Sequence, residues 1–219
     1  MNYLPLRKDL TEGKRKCYFC GRQLTSLKAF VLENVVTKEE VFSGPKCAQD
    51  NISDEFDLRL MPDLTVFTLA FNLDIEGVRK GRLSSSSASA IQKDIDYKKA
   101  IEYIELRENK LLKDLNESYE PLKNYYLKYR MLGRLDEIEI QHITNIELKT
   151  KPSLKLVNLQ KFYNHLFWIN IAISLLGERA NDYLVPIKES LCKYRNITEA
   201  QKNGVNKWLK NLDGIPQLK

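Results

Sequence analysis

The chain has 219 residues, of which 43% are hydrophobic and 29% are charged, and its net charge is +6. A chain of this length and composition can bury a substantial core in one large or two unequal domains, and the charge is too evenly spread for a polycation. Because no leader opens the sequence and no run of about eighteen apolar residues occurs, we expect a soluble cytoplasmic protein without a membrane span.

Three cysteines near the start of the chain form a metal-binding pattern. Cys17 and Cys20 are separated by two residues and followed by Gly21, and Cys47 lies in the segment Gly-Pro-Lys-Cys-Ala at 44–48. A two-residue gap lets both thiolates reach one ion, while turn amides support their charge. The pattern predicts a Zn²⁺ site, and with only Cys192 left over it argues against a disulfide framework and for a reducing compartment.

A tetrahedral zinc ion needs a fourth ligand besides these three sulfurs. Asp50 stands where the closing residue of a C-x2-C…C-x2-[C/H/D] set falls, so we take it as the first candidate. Cys192, His142 and His165 are alternatives that the fold would have to bring from a distance. A water molecule is another, and it would leave the site open.

The segment between the two halves of the site predicts a β-hairpin. Residues 28–43 are rich in β-branched and aromatic side chains and are interrupted by the polar run Thr37, Lys38 and Glu39. Pro45 then predicts a turn, and a short helix begins near Cys47. The expected fold class is α+β, with a small treble-clef-like zinc head followed by a mainly α-helical body. A head this small has little core, so we expect metal binding to contribute to its folding.

These residues resemble a known sequence module. The pattern C-x2-C-G-R-x-L from Cys17 to Leu24, followed by G-P-x-C-A from Gly44 to Ala48, is similar to a short zinc-binding module of unassigned function in phage and mobile-element proteins. The resemblance covers about thirty residues and implies metal binding. It implies nothing about an activity, and the insert between the second and third cysteines is longer here.

A change of composition marks the boundary between the two parts. Residues 77–83 contain two glycines and three cations and lead into the small residues of 84–90, five of which are serine. Such a stretch is typical of a mobile connector. We therefore predict a zinc-binding head at 1–83, a Ser-rich linker at 84–90 and a helical domain at 91–219.

Cations gather near the zinc pattern. Seven lysines and arginines precede residue 30, against only Asp9 and Glu12. A basic edge beside a zinc knuckle suits phosphate contacts, although an ordinary solvated surface has the same composition. The candidate nucleic-acid contacts are Lys14, Arg15, Lys16, Arg22 and Lys28 in the head and Arg79, Lys80 and Arg82 in the loop before the linker.

The body predicts a series of helices. Apolar residues recur at three- and four-residue intervals over 90–119, Pro121 kinks or restarts the helix, and Gly133 ends it. Residues 136–150 alternate in polarity, which favours a strand, although Leu135, Ile138, His142 and Ile146 also fit one face of a helix. An intensely apolar helix follows from residue 153 to Gly177. Two closing helices follow at 182–195 and 198–212, with Thr198 as an N-cap that lacks a capping box.

No motif of a known enzyme class occurs, and the two histidines have no catalytic spacing to cysteine or carboxylate. We therefore expect a non-enzymatic zinc protein that contacts nucleic acid through its basic head, in phage, plasmid or defence machinery. The alternative is an interaction subunit or inhibitor whose helical body binds a partner protein, with zinc as a purely structural element.

Overall fold

The computed structural model describes residues 2–12, 15–67, 85–180 and 182–219, with side chains from residue 91 in the first long helix. It confirms the predicted α+β class, with an antiparallel sheet at the N-terminal end followed by a mainly helical body. None of the helices in these ranges combines the length and apolarity needed to cross a membrane.

The sheet has three strands in the order β1-β2-β3, namely β1 (Tyr3–Leu10), β2 (Lys28–Asn34) and β3 (Glu40–Ser43). The predicted hairpin is confirmed, since β2 pairs antiparallel with β3 and the polar run lies in the connecting turn. Strand β1, which the sequence analysis did not predict, pairs antiparallel with β2 and has a bulge between Pro5 and Arg7.

The first helix, α1 (Pro45–Asn51), follows β3 directly. Pro45 occupies its first turn, where a missing backbone N–H costs nothing because that position has no intrahelical acceptor. Ala48 and Ile52 pack with Leu32 and Val41 in a small cluster on one side of the sheet. The head is therefore built as knuckle, hairpin and helix, as predicted.

The body contains seven α-helices in the described residues. They are α2 (Ser85–Glu105), α3 (Leu112–Leu115), α4 (Glu120–Leu132), α5 (Glu137–Lys149), α6 (Leu156–Leu176), α7 (Leu184–Tyr194) and α8 (Glu199–Leu209). A π-helical segment, Leu106–Lys110, joins α2 to the short stretch before α3. Gly133 ends α4 in a left-handed conformation with φ of 70°, and Gly177 follows α6, both as predicted.

The predicted linker lies at the edge of the described residues. Ser84 falls outside them, as do the loop cations Arg79, Lys80 and Arg82, whereas residues 85–90 form the first turns of α2. Six of the seven residues predicted as a connector are therefore helical. The three-part division of the chain stays a prediction.

The strand predicted at 136–150 is wrong, because this segment forms helix α5. A capping box starts it, in which the Asp136 side chain accepts the Glu139 N–H and the Glu139 side chain accepts the Asp136 N–H. Ile140 and Ile143 then share a buried face. A capping box is also present at α8, between Thr198 and Gln201, contrary to the expectation from sequence.

Helix α6 forms the centre of the body. It buries Phe162, Trp168 and Ile169 almost completely, within a cluster that also includes residues of α2, α7 and α8. Leu10 of β1 and Leu64 belong to the same cluster. One apolar core therefore extends from the sheet into the helices.

Beside this core, the sheet meets the helices through buried charges. Arg7 of β1 is only 1% exposed, and its Nε lies 2.8 Å from an Asp9 carboxylate oxygen. Its other guanidinium nitrogens pair with Glu40 of β3 and approach Glu105 of α2 at 3.8 Å. Arg130 of α4 extends the network to Glu33 and Glu40. The network joins all three strands to α2 and α4.

Asp9 is the most highly partnered acid in this network. Lys110 Nζ lies 2.6 Å from its Oδ2, and the hydroxyl of Tyr163 in α6 donates to Oδ1 at 2.6 Å. Burial alone would raise the pKa of Asp9, but the Arg7 and Lys110 charges lower it to about 2. The folded state therefore holds this carboxylate ionised.

We predict that Asp9→Asn lowers the free energy of unfolding at pH 7 by roughly 2 to 3 kcal/mol, because Arg7 and Lys110 lose their shared counterion. Because the pKa of Asp9 is lower in the folded than in the unfolded state, the carboxylate contributes its full stabilisation of the fold above its unfolded pKa near 4. The contribution is lost as the pH falls through about 2. Urea unfolding of wild type and variant should therefore differ less as the pH falls toward 2.

Asp57→Asn is the matched control, because Asp57 pairs with the exposed Arg59 and such pairs contribute less than about 1 kcal/mol. The interpretation of the network would be contradicted if the two variants lost equal free energy of unfolding at pH 7. It would also be contradicted if the loss caused by Asp9→Asn did not change with pH.

Candidate metal centre

The C-x2-C segment folds into a tight knuckle held by its own backbone. The Cys17 N–H donates to the Arg22 carbonyl at 2.8 Å, and the Gly21 N–H donates back to the Cys17 carbonyl at 3.0 Å. Gly21 has a φ of 69°, a left-handed conformation that a glycine adopts without steric cost. The glycine after the second cysteine therefore lets the chain reverse and brings both thiols to one side.

The sheet and α1 bring the third cysteine to the knuckle. The Tyr18 N–H donates to the Phe42 carbonyl of β3 at 2.9 Å, which attaches the knuckle to the strand that leads into α1. Cys47 follows in the first turn of that helix. Cys17, Leu24 and Ala29 form a small buried cluster against which Phe42 and Cys47 pack.

The three sulfurs converge as the sequence predicts. The Sγ atoms of Cys17, Cys20 and Cys47 all lie within 4.8 Å of one another. Cys17 is buried, Cys47 is half-buried and Cys20 is exposed. One side of the cluster therefore packs against the protein, and the other side is accessible to solvent. Three thiolates at this spacing could hold a metal ion. Soft sulfur donors suit Zn²⁺ among other metals.

The surroundings of the cluster affect the thiols unequally. Burial opposes ionisation of Cys17, but backbone N–H groups of Cys20, Gly44 and Phe19 lower its pKa to about 7. Burial and the hydrogen bonds that the Cys47 thiol donates to the sulfurs of Cys20 and Cys17 raise the pKa of Cys47 to about 11. A bound cation would remove this inequality, because it stabilises all three thiolates together.

The proposed fourth ligand does not join the cluster in this structure. Asp50 lies on α1 and is exposed, and no fourth His, Cys, Asp or Glu of the described residues shares the 4.8 Å spacing. Asp50 stands three residues after Cys47, so the two side chains lie on the same side of the helix. The ligand role of Asp50 stays a prediction, with water as the local alternative.

The more distant candidates have other partners. Cys192 lies 3.8 Å from Asp114 in the body, and the His142 ring nitrogen is 2.7 Å from the Tyr125 hydroxyl. His165 is buried beside the C-terminal Lys219, and burial lowers its pKa to about 4. None of these three belongs to the cysteine cluster.

The predicted basic contacts divide into three groups. Lys16 and Arg22 are exposed on the two paired arms of the knuckle, where residue 16 bridges residue 23. Arg15 packs its guanidinium over the Phe42 ring at 4.2 Å and pairs with Glu12, and Lys28 is half-buried at the start of β2. Lys14 lies outside the described residues, as do the three loop cations.

Sequence reasoning missed two neighbours of the site. Tyr18, inside the knuckle, is 62% exposed and meets Tyr3 and Phe19 edge to face. Lys46 is exposed immediately before Cys47. Their positions next to the cysteines of the pattern were the signal available in the sequence.

Comparison with known proteins adds no relative. No family model matches the chain, and neither a curated protein nor a solved structure does.

We predict that a strong zinc chelator lowers the free energy of unfolding of the purified protein by at least about 3 kcal/mol, because a bound ion would link the knuckle to α1. Cys20→Ser should lower it similarly and make the variant insensitive to chelator. Thermal unfolding with and without chelator is the measurement, and a shift of roughly 6 to 12 °C is expected.

Cys192→Ser is the control, since this thiol lies in the body and should leave the chelator response intact. An unchanged melting temperature on chelation, or identical behaviour of the two cysteine variants, would contradict the assignment.

Proposed function

We propose that the chain is a non-enzymatic zinc-binding protein whose head contacts nucleic acid. The observation that carries the zinc part is the convergence of three sulfurs from the knuckle and α1. We propose that Asp50 or a water molecule completes the shell, since the distant candidates are engaged elsewhere. The resemblance to a phage and mobile-element module is the reason for proposing a phage, plasmid or defence setting.

The nucleic-acid part is supported by the surface around the knuckle. Lys16, Arg22 and Lys46 are exposed there, and none of them forms an ion pair within the described residues. Such cations are available for phosphate oxygens, to which lysine and arginine commonly bind. Tyr18 presents an exposed ring among them, and aromatic rings stack on unpaired bases. The combination favours single-stranded nucleic acid over a duplex.

A second candidate is a protein partner on the helical body. Leu127 and Met131 of α4 lie one turn apart and are 53% and 68% exposed. An apolar pair on a helix face is a common docking surface for another helix. In this alternative the metal serves only the fold of the head.

We predict that a single-stranded oligonucleotide binds with an affinity that falls steeply as salt rises, because binding releases counterions. Replacing Lys16 and Arg22 together by glutamate should weaken binding by about tenfold or more and flatten the slope of log K against log salt by about 1.4. Fluorescence anisotropy at several salt concentrations measures both quantities.

Lys123→Glu with Lys210→Glu is the matched control, because it makes the same charge change at exposed positions of the body. Absent or salt-independent binding, or equal weakening by both double variants, would contradict the nucleic-acid proposal. A complex with a protein partner that survives high salt and is lost with Met131→Asp would instead support the second candidate.

A further inference from the structure

A second candidate site lies in the body, away from the cysteines. A cleft of about 720 Å³ opens between α5 and the segment 116–119 that precedes α4. We call it the Arg107 cleft, because Arg107 contributes to its wall together with Lys149, Asn116, Asn145 and Tyr119. Its volume lies within the range of small-molecule sites in proteins.

Arg107 reaches this position because of the π-helical segment. The Leu111 N–H bonds to the Leu106 carbonyl five residues earlier, at 2.9 Å, so one extra residue is included in the turn. Glu105 and Lys110 at either end of the segment approach the charged network beneath the sheet, whereas Arg107 lines the cleft. Single π turns inside helices are frequent at functional sites.

The guanidinium of Arg107 lacks a counterion within the described residues. The residue is only 4% exposed, and Nη1 donates to the Tyr103 hydroxyl at 3.1 Å. Nε is buried without a hydrogen-bond partner, and the guanidinium carbon lies 5.8 Å from the centre of the Tyr103 ring. By contrast, the other deeply buried arginine, Arg7, has two carboxylates within hydrogen-bond distance. A buried charge without a counterion is costly, so an arginine in this state is a candidate for binding an anion.

The nearby carboxylates do not supply that anion. Glu108 accepts the Ser118 hydroxyl at 2.9 Å and the Tyr119 N–H at 3.4 Å, outside salt-bridge distance of Arg107. Glu117 lies on the cleft wall but pairs with Lys151 and Arg195, each at 2.8 Å. Both acids are therefore already satisfied by other donors.

The remaining polar groups of the cleft include one further cation and two side-chain amides that can donate hydrogen bonds. Lys149 is exposed at the rim, and the side-chain amides of Asn116 and Asn145 face the same space. Tyr119 and Ile146 add apolar surface, which an inorganic ion alone does not need. We propose that the Arg107 cleft binds a small ligand that carries a phosphate group, with Arg107 and Lys149 contacting the phosphate and Tyr119 packing against the remainder.

The test is binding of inorganic phosphate, AMP and adenosine to the full chain, measured by isothermal titration calorimetry and by thermal shift. Phosphate or AMP should bind and raise the melting temperature, and adenosine should not, because it lacks the anionic group. Arg107→Gln should weaken binding by about thirtyfold or more, and Lys149→Gln by about threefold, since the lysine contact is solvent-exposed. Arg179→Gln, which removes an exposed arginine, should leave the binding of phosphate and AMP unchanged.

Two results would overturn the proposal. One is the absence of binding by phosphate and AMP at millimolar concentration, and the other is binding that Arg107→Gln leaves unchanged. Arg107→Met separates a binding role from a structural one. If Arg107 serves to bind an anion, Arg107→Met should melt no lower than wild type in phosphate-free buffer, because a charge without a counterion is replaced by an apolar side chain. A marked loss of stability would instead make Arg107 a structural residue and overturn its assignment as the anchor.

Discussion

Three sulfurs that lie within 4.8 Å of one another determine the arrangement of the head. Two come from a knuckle whose reversal depends on Gly21, and the third from the first turn of α1. Two small apolar clusters pack these pieces together, one around Cys17 and Leu24 and the other around Ala48 and Ile52. Clusters of that size give little stability, so we propose that a cation shared by the three sulfurs is the interaction on which the positions of knuckle, hairpin and helix depend.

The head attaches to the helical body through two kinds of contact. Part of the attachment is the apolar core around α6, which includes Leu10 and Leu64. The rest is the network centred on Arg7, in which Asp9 is held ionised while burial raises the pKa of Glu105 against the opposing Arg7 charge. One oxygen of Glu105 is buried without a partner. Buried ion pairs are costly to break, so the network restricts the orientation of the sheet more than it adds net stability.

The features that sequence could predict are those set by nearby residues. The knuckle, the hairpin and the ends of α4 and α6 follow from short-range signals such as Gly21, Gly133 and Gly177. Helix α5 was mistaken for a strand because Ile138, His142 and Ile146 fit both periodicities, and the capping box at Asp136 was the signal that decides. Strand β1 and the Arg107 cleft depend on contacts between distant segments and on one π turn, which no local pattern reveals.

X-ray absorption at the zinc edge of the purified protein is the decisive measurement for the metal site, since it reports the identity, number and distance of the ligands. We expect one zinc ion per chain with three sulfur neighbours at about 2.3 Å and one oxygen neighbour at about 2.0 Å, from Asp50 or water. Asp50→Ala should change the spectrum only if the carboxylate is the oxygen donor. A protein without bound metal, or a shell of histidine nitrogens, would contradict the account.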